Sequence, residues 1–387
     1  MPESEEKPLV VIRSLVYNHE PYLRDSLEGF VMQQTTFPFV AVVHDDCSTD
    51  GSAAIIREYA EKYPHIIKPV YETENQYSKK DGSLRRAMDA ACGKYGAKYY
   101  ALCEGDDYWT DPRKLQKQVD FLETQPDYTM VCSDAVVRTP DGDLTEDDFR
   151  RMGWHRYTEE CDIPTEDVIS KGGWLIYTAS IVYRCGLRDK YPDACKRAAT
   201  GDYTLQIFAA LNGKIHYFHE QMVTYRFRCD NSWTAMKRTR SFQNRCNHLA
   251  REIDMLLSLD DYSHGQYRKE FYTTIAQNIK NLMAELPEQS GELLRMFGRH
   301  LLFKRLKACT PGPQGTKAKV LLLIKRFCFH PYYPDTTCEK LVIPILRPFY
   351  RVSGRKKSLG LGLHGVVSIV EQEKGGHAVY LLGKRVY

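Results

Sequence analysis

Ala101-Leu102-Cys103-Glu104-Gly105-Asp106-Asp107-Tyr108-Trp109-Thr110-Asp111-Pro112 is the stretch that decides how this chain is read. The apolar run Tyr99 to Cys103 predicts a buried strand. It stops at three carboxylates around one glycine, and Asp111-Pro112 then opens a helix, with Asp111 expected as its N-cap. In open α/β sheets ligands bind where parallel strands end, so hard oxygen donors here are placed to hold a divalent cation against a bound diphosphate. Gly-Asp-Asp is also ordinary turn chemistry. Three adjacent carboxylates repel one another unless a positive charge offsets them, and this favours a site over a plain turn.

Working outward, Leu9 to Leu15 is a β-branched run of the kind buried parallel strands show, followed by a turn at Tyr17-Asn18-His19-Glu20. Pro21 to about Gln34 predicts a helix with Leu23, Leu27, Phe30 and Val31 on one face. Phe39 to His44 predicts the second strand, ending in Asp45-Asp46-Cys47-Ser48-Thr49-Asp50-Gly51. A helix around Ile55, Ile56 and Tyr59, a strand at Ile66 to Tyr71 and a helix at Ser83 to Tyr95 lead to the central stretch. This βαβαβαβ order implies an α/β fold, a mostly parallel, Rossmann-like sheet with flanking helices. Neither Gly-x-Gly-x-x-Gly nor a P-loop occurs, which argues against dinucleotide and P-loop nucleotide binding. The strand ends offer carboxylate instead, able to accept from a base or to ligate a metal.

The chain has 387 residues, 43% hydrophobic and 27% charged, with no apolar span long enough for a bilayer. Twelve cysteines without a C-x-x-C pair fit reduced thiols in a cytoplasmic protein. From His300 to Tyr387, sixteen Lys and Arg face four Asp and Glu, so a total of +4 divides into a basic tail and a body of net −8. The tail is a candidate for peripheral contact with an anionic membrane, and no nucleic-acid module accompanies it. Three regions are expected: 1–240, 241–299 as a helical pair, and 300–387 as a basic C-terminal region. The stripes Leu249, Ile253, Leu256, Leu257 and Phe271, Ile275, Ile279, Leu282 mark the two helices. Lys317 to Phe327 is a short apolar run between cations, and Val366 to Val370 with Val379 to Leu382 suggests a hairpin. Thr139 to Pro164 is polar and reads as a variable loop. His216 and His219 read as structural residues of a strand.

Val11-Ile12 through Tyr17-Asn18, Tyr22-Leu23, Leu27 and Gln33, then Val42 to Ser52, then Glu104 to Trp109, resemble the nucleotide-sugar-binding half of family 2 glycosyltransferases over roughly residues 8 to 235. The resemblance implies a GT-A fold and transfer of a sugar from a nucleoside-diphosphate sugar, a UDP-sugar by expectation, to a polysaccharide or lipid-linked glycan acceptor. It implies Mn2+ or Mg2+ as cofactor, while the thiols and the basic tail lead to the expectation of a cytoplasmic protein at the inner face of the membrane. Donor binding falls to Val16, Tyr17, Asn18, Glu20, Asp45, Asp46, Glu104, Gly105 and Asp106, and metal ligation to Asp106 and Asp107. The family's Asp-x-Asp is Glu104-Gly105-Asp106 here, a donor one methylene longer. Asp45 would contact the base, Tyr17 is a candidate to stack on it, and Asp50 would cap the following helix. Gly172 to Arg184 resembles the segment lining the acceptor side. Asp202, in Thr200-Gly201-Asp202-Tyr203, matches the general base of inverting members, although it could equally be an N-cap. Met222 to Thr234 resembles a flexible closing loop, with Arg226 or Arg228 for the diphosphate and Trp233 for a sugar face. Two other classes stay open: a sugar-nucleotide nucleotidyltransferase, which should carry a Gly-rich basic loop after the first strand, and a non-catalytic sugar or nucleotide binder.

Overall fold

The computed structural model describes residues 7–79, 81–227 and 241–289, Leu293 and Phe297, and the backbone of five short strands between 350 and 385. The chain divides into two compact units, 1–271 and 272–387. In the first, the elements run β1 (Val10–Val16), α1 (Leu23–Val31), β2 (Phe39–Asp45), α2 (Ser52–Lys62), β3 (Ile67–Tyr71), α3 (Gln76–Lys79), α4 (Ser83–Gly93), β4 (Tyr99–Leu102), β5 (Tyr108–Trp109) and α5 (Lys114–Thr124). There follow β6 (Tyr128–Thr139), β7 (Gly142–Asp143), α6 (Glu146–Met152), β8 (Cys161–Asp162), α7 (Thr165–Lys171), β9 (Val182–Arg184), α8 (Asp193–Lys196), α9 (Gly201–Asn212), β10 (Lys214–Arg226) and α10 (Phe242–Tyr262). Helix α11 (Arg268–Glu285) crosses the division.

The sheet runs β3-β2-β1-β4-β9-β6-β10-β5, with β7 beside β6 and β8 beside β10. Pairing is parallel at β3/β2, β2/β1, β1/β4 and β6/β10; β9 runs antiparallel between β4 and β6, and β5 antiparallel to β10. Strand β1 aligns Val10 with Phe39 and Val16 with Asp45, so the turns after β1 and β2 emerge side by side. Its alternate residues are buried on both faces. Val10, Ile12 and Val16 join the main core with α1, α2 and α5, and Val11 joins a smaller cluster with Met88 and Cys92 of α4. That two-sided burial is why the strand reads as continuously apolar.

Several boundaries moved. The first helix is shorter than expected because Gln33 has left it: its Nε2 donates to Gly29 O and Asp111 O, and its Oε1 accepts from Leu115 N. Asp111 is not the N-cap of α5; Arg113 is, and Asp111 closes the preceding turn by accepting from Arg113 N at 2.8 Å. The polar Thr139 to Pro164 segment holds α6, started by a capping box between Thr145 and Asp148. Only Phe149 of that helix is buried, so it carries no apolar stripe to find. His216 packs on Phe121 at 4.1 Å between ring centroids, and His219 is exposed. Within the first unit, α10 packs on α9 through Tyr262, which donates to Asn212 Oδ1 and lies 5.0 Å from the Phe208 ring. The eight apolar stripe residues of the two helices are all buried.

In the second unit, β11 (Tyr350–Ser353), β12 (Lys356–Gly360), β13 (Val367–Glu371), β14 (His377–Leu381) and β15 (Lys384–Arg385) pair antiparallel in chain order, so the expected hairpin is β13/β14. The apolar run Lys317 to Phe327 lies outside the described residues. No described helix is long and apolar enough to cross a membrane.

Trp109 is the joint of the first unit. Its ring meets Phe30 edge-on at 5.2 Å, and its Nε1 donates to Ala179 O at 2.8 Å. Helix α1 comes this close because residue 29 is glycine: a Cβ there would stand 2.9 Å from Trp109 N. Lys114 is fully buried over the same ring, with Nζ 4.3 Å from its centroid and 2.7 Å from Gln118 Oε1. Burial holds its ammonium down at about 7, against 10.5 when solvated. Between those values the unfolded chain binds more protons than the native one, so stability rises with pH across that window as the buried charge is shed. Lys114→Met is expected to flatten that rise. It should also stabilise the protein at pH 7 by about 1–2 kcal/mol, net of the donor that Gln118 loses. Urea unfolding at pH 7 and pH 9 reads both effects, and a slope equal to wild type would refute a buried, titrating lysine.

Candidate active site

The acid turn leaves β4 and is held against the end of β1. Cys103 N donates to Arg13 O at 3.3 Å, Gly105 N to Leu15 O at 2.9 Å, and Ser26 Oγ to Glu104 O at 3.3 Å. Gly105 is needed for close approach: a Cβ there would stand 2.8 Å from His19 Nδ1 and 2.9 Å from Val16 Cγ2. One carboxylate oxygen from each of Glu104, Asp106 and Asp107 lies within 4.8 Å of the others. Glu104 is exposed in surface area yet hemmed in by protein. Desolvation first, then the charges of Asp106 and Asp202, push its carboxyl up to about 8. Asp107 is buried, and burial with the Asp106 charge raises it well above the usual carboxylate range. Such a set, all hard oxygen donors with repulsion unrelieved, fits Mg2+ or Mn2+.

One cation does stand beside the cluster, and it is not in a loop. Arg226 ends β10, is 8% exposed, and its N donates to Asp107 Oδ1 at 2.8 Å. Its guanidinium donates to Asp106 O at 2.8 Å, pairs with Asp25, and lies over the rings of Tyr108 at 4.4 Å and Tyr22 at 5.1 Å. Of the two arginines expected at the diphosphate, Arg226 thus stands at the end of a strand rather than in a loop. Arg226 braces the turn with bonds from its backbone N–H and from two of its guanidinium nitrogens. Arg228 and Trp233 lie outside the described residues.

The turns after β1 and β2 are laced together. Asn18 N donates to Ser48 Oγ, His19 N to Ser52 Oγ and Glu20 N to Asp50 Oδ2, at 2.9 to 3.0 Å. In return Thr49 N donates to Asn18 Oδ1 and Gly51 N to Glu20 Oε2, both at 2.7 Å. Asn18 and Glu20 thus hold the neighbouring loop with the side chains expected to wall a pocket. Asp50 also accepts from Ser52 N at 2.9 Å in the first turn of α2, while Gly51 is the N-cap itself. Val16 is buried and offers this region only its carbonyl, which accepts from Asp46 N. Asn18 and Cys47 have φ of 57° and 62°, so both turns reverse through the left-handed region.

Asp46 spends both oxygens on backbone, accepting from Gln76 N at 2.6 Å and Tyr77 N at 3.0 Å to start α3. Asp45 is also buried, and of its two oxygens Oδ1 accepts a long 3.3 Å bond from Ser48 N. Tyr17 is 41% exposed at the mouth of the cleft rather than packed in the core.

Asp202 stands in the first turn of α9, whose N-cap is Thr200, so the plain N-cap alternative does not describe it. Its Oδ1 accepts from Tyr203 N at 2.8 Å and its Oδ2 from Thr178 Oγ1 at 3.1 Å. It lies close enough to Glu104, nearly a hundred residues away in sequence, for its charge to raise that carboxyl. Sequence reading passed over Thr178, Asp25 and His19. His19 Nδ1 is buried without a hydrogen-bond partner beside Gly105. The Ser-Thr-Asp-Gly run at 48–51 carried a turn signal for the lacing, but nothing local pointed to the pairing of Thr178 with Asp202.

Comparison with known proteins finds relatives in sequence and in fold. An uncharacterised protein of Mycobacterium tuberculosis, Rv1520, is 31% identical over 322 residues, covering 83% of this chain and 80% of the relative. The putative glycosyltransferase EpsE of Bacillus subtilis is 33% identical over 130 residues, 34% of this chain and 44% of its own. The solved structure of S. aureus TarS 1–349 with UDP-GlcNAc superimposes with a TM-score of 0.53 at 16% identity, over 91% of this chain and 96% of that one. The likeness shows a GT-A fold. The sequence model described as glycosyl transferase family 2 matches residues 14–181, which include both laced turns and the acid turn. The chain belongs to glycosyl transferase family 2.

Proposed function

We propose that this chain transfers a sugar from a nucleoside-diphosphate sugar to a glycan or lipid-linked acceptor, with inversion at the anomeric carbon. The observation that carries the reading is the cluster Glu104, Asp106 and Asp107 at the end of β4, with Asp202 near enough for its charge to raise the Glu104 carboxyl. A uridine donor is supported by the TarS structure, solved with UDP-GlcNAc, and a polysaccharide acceptor by the name of the B. subtilis relative TuaG, a putative teichuronic acid biosynthesis glycosyltransferase.

In this mechanism the laced turns receive the nucleoside. Asp45 accepts from the base, and Tyr17 is free to cover it. Asp106, with Asp107 and Glu104, would hold Mn2+ or Mg2+, which neutralises charge on the departing diphosphate when bound. Asp202 takes the proton of the acceptor hydroxyl as that oxygen bonds to the anomeric carbon and the bond from carbon to diphosphate oxygen breaks. Thr178 and Tyr203 N fix the orientation of the Asp202 carboxylate. The proton ends on Asp202 and the electron pair on the nucleoside diphosphate.

We assign this chemistry to residues 1–240, a supporting role to 241–299, and contact with an anionic, cytoplasm-facing membrane surface to the basic residues 300–387. The reading of Asp202 is tested by Asp202→Asn. Turnover should fall by about 100- to 10,000-fold while donor affinity stays within about threefold. Unchanged turnover would remove Asp202 from the mechanism. Asp106→Asn should abolish the metal-dependent part of UDP-sugar binding in calorimetry, and donor binding that ignores both metal and this variant would leave the carboxylates as a turn. For the tail, co-sedimentation with phosphatidylglycerol vesicles should drop on truncation near residue 300, and equal recovery of both forms would dispose of membrane contact.

A further inference from the structure

On the sheet face covered by α4 there is a second cavity, of about 580 Å3, which shares no residue with the acid turn or the laced turns. Its position follows from strand alternation. Val11 of β1 packs under α4, so Arg13 points to the same face, and Tyr100 of β4 and Tyr183 of β9, paired across the strands, do likewise. The segment after β9 closes the other side with Arg188 and Asp189.

Arg13, Arg85, Arg188 and Lys196 face only Asp89 and Asp189 within the lining, a surplus of two positive charges. Lys196 is paired outside the cavity with Asp193 at 3.1 Å. Arg13 and Arg188 share a single oxygen, Asp89 Oδ1, at 2.6 and 3.4 Å. Arg85 is left with its Nε buried and without an acceptor, and burial together with the Arg188 charge holds its guanidinium below the usual value. Tyr183 is 1% exposed, lines the cavity, and its hydroxyl has no hydrogen-bond partner. A phenol and a guanidinium NH left unpaired in a buried setting each cost free energy, which an acceptor between them would recover.

We propose that this cavity is a second ligand site, which takes a phosphate-bearing ligand with its phosphoryl oxygens among Arg85, Arg188 and the Tyr183 hydroxyl. Guanidinium groups and a phenol lining one cavity suit a tetrahedral oxyanion with many acceptor lone pairs. The volume exceeds that of the ion alone and falls in the range of small-molecule sites, so the phosphate belongs to a larger molecule. The inference stands apart from the transferase reading, since neither site contributes a residue to the other.

The test is calorimetric titration of the full chain with inorganic phosphate at fixed ionic strength, beside flotation with phosphatidic acid in phosphatidylcholine vesicles. One phosphate per chain is expected. Tyr183→Phe should weaken it by about fivefold and Arg188→Gln by about tenfold or more. Tyr183→Phe deletes a hydroxyl that bonds nothing in the protein, so it should keep the wild-type melting temperature and UDP-sugar affinity, which separates loss of this site from loss of the donor site. Asp106→Asn should leave phosphate affinity unchanged. Vesicle binding sensitive to Arg188→Gln, with no binding of free phosphate, would assign the same site to a lipid headgroup. Binding of neither probe, binding indifferent to both cavity variants, or loss of phosphate binding in Asp106→Asn would overturn the proposal.

Discussion

Three carboxylates within 4.8 Å of one another are a standing electrostatic cost, and much of the first unit is arranged around holding them there. Arg226 is the principal means. Its backbone N–H goes to Asp107, its guanidinium to the Asp106 carbonyl and to Asp25, and two tyrosine rings sandwich it. Because the arginine is anchored at the end of β10 while the acids end β4, the brace ties the parallel β6/β10 pair to the parallel β1/β4 pair across the antiparallel β9. Gly105 completes the arrangement by letting the turn press against His19 and Val16. Arg226 thus fixes the acids in place with a cation that points at protein, and the face of Glu104 and Asp106 stays available.

The residues that family resemblance assigns to the nucleoside divide on inspection into builders and contacts. Asn18, Glu20 and Asp46 spend their side chains on backbone N–H groups of facing turns and of α3, which fixes those segments in place. Asp45 and Tyr17 have no comparable commitments. A motif of this kind encodes the shape of a loop pair as much as a set of ligand contacts. The positive φ of Asn18 and Cys47 in the two facing turns reflects the same demand: both chains reverse sharply to bring strand ends together.

Burial of unlike polar groups recurs away from the cleft. Lys114 sits neutral-leaning over Trp109 in the core, and Arg13 crosses beneath α4 to reach Asp89. The first lies where α1, α5 and β5 converge, the second on the opposite face. Each places a long cationic side chain where an apolar one would pack, and each is kept by a specific partner, as buried charge must be. The Arg13 region differs in leaving polar atoms unpaired beside open space.

Periodicity located the strands and the longer helices up to β4, the four-residue α3 excepted, because a parallel strand buried on both faces and a helix with one apolar stripe write their environment into consecutive residues. The acid turn stood out as carboxylates at an element junction, whereas Asp202 was singled out only by the resemblance to the family. Polar elements such as α6 escaped, since capping without an apolar stripe leaves little period to detect. What only the tertiary structure decided is which distant groups meet. Arg226 finds Asp25 from 201 positions away, Thr178 finds Asp202, and Asp46 starts a helix thirty residues on. Sequence determined the fold class and the chemistry on offer, since both follow from local pattern; the sheet determined which acids stay open and which are consumed, since that depends on partners brought together only by closure of the chain.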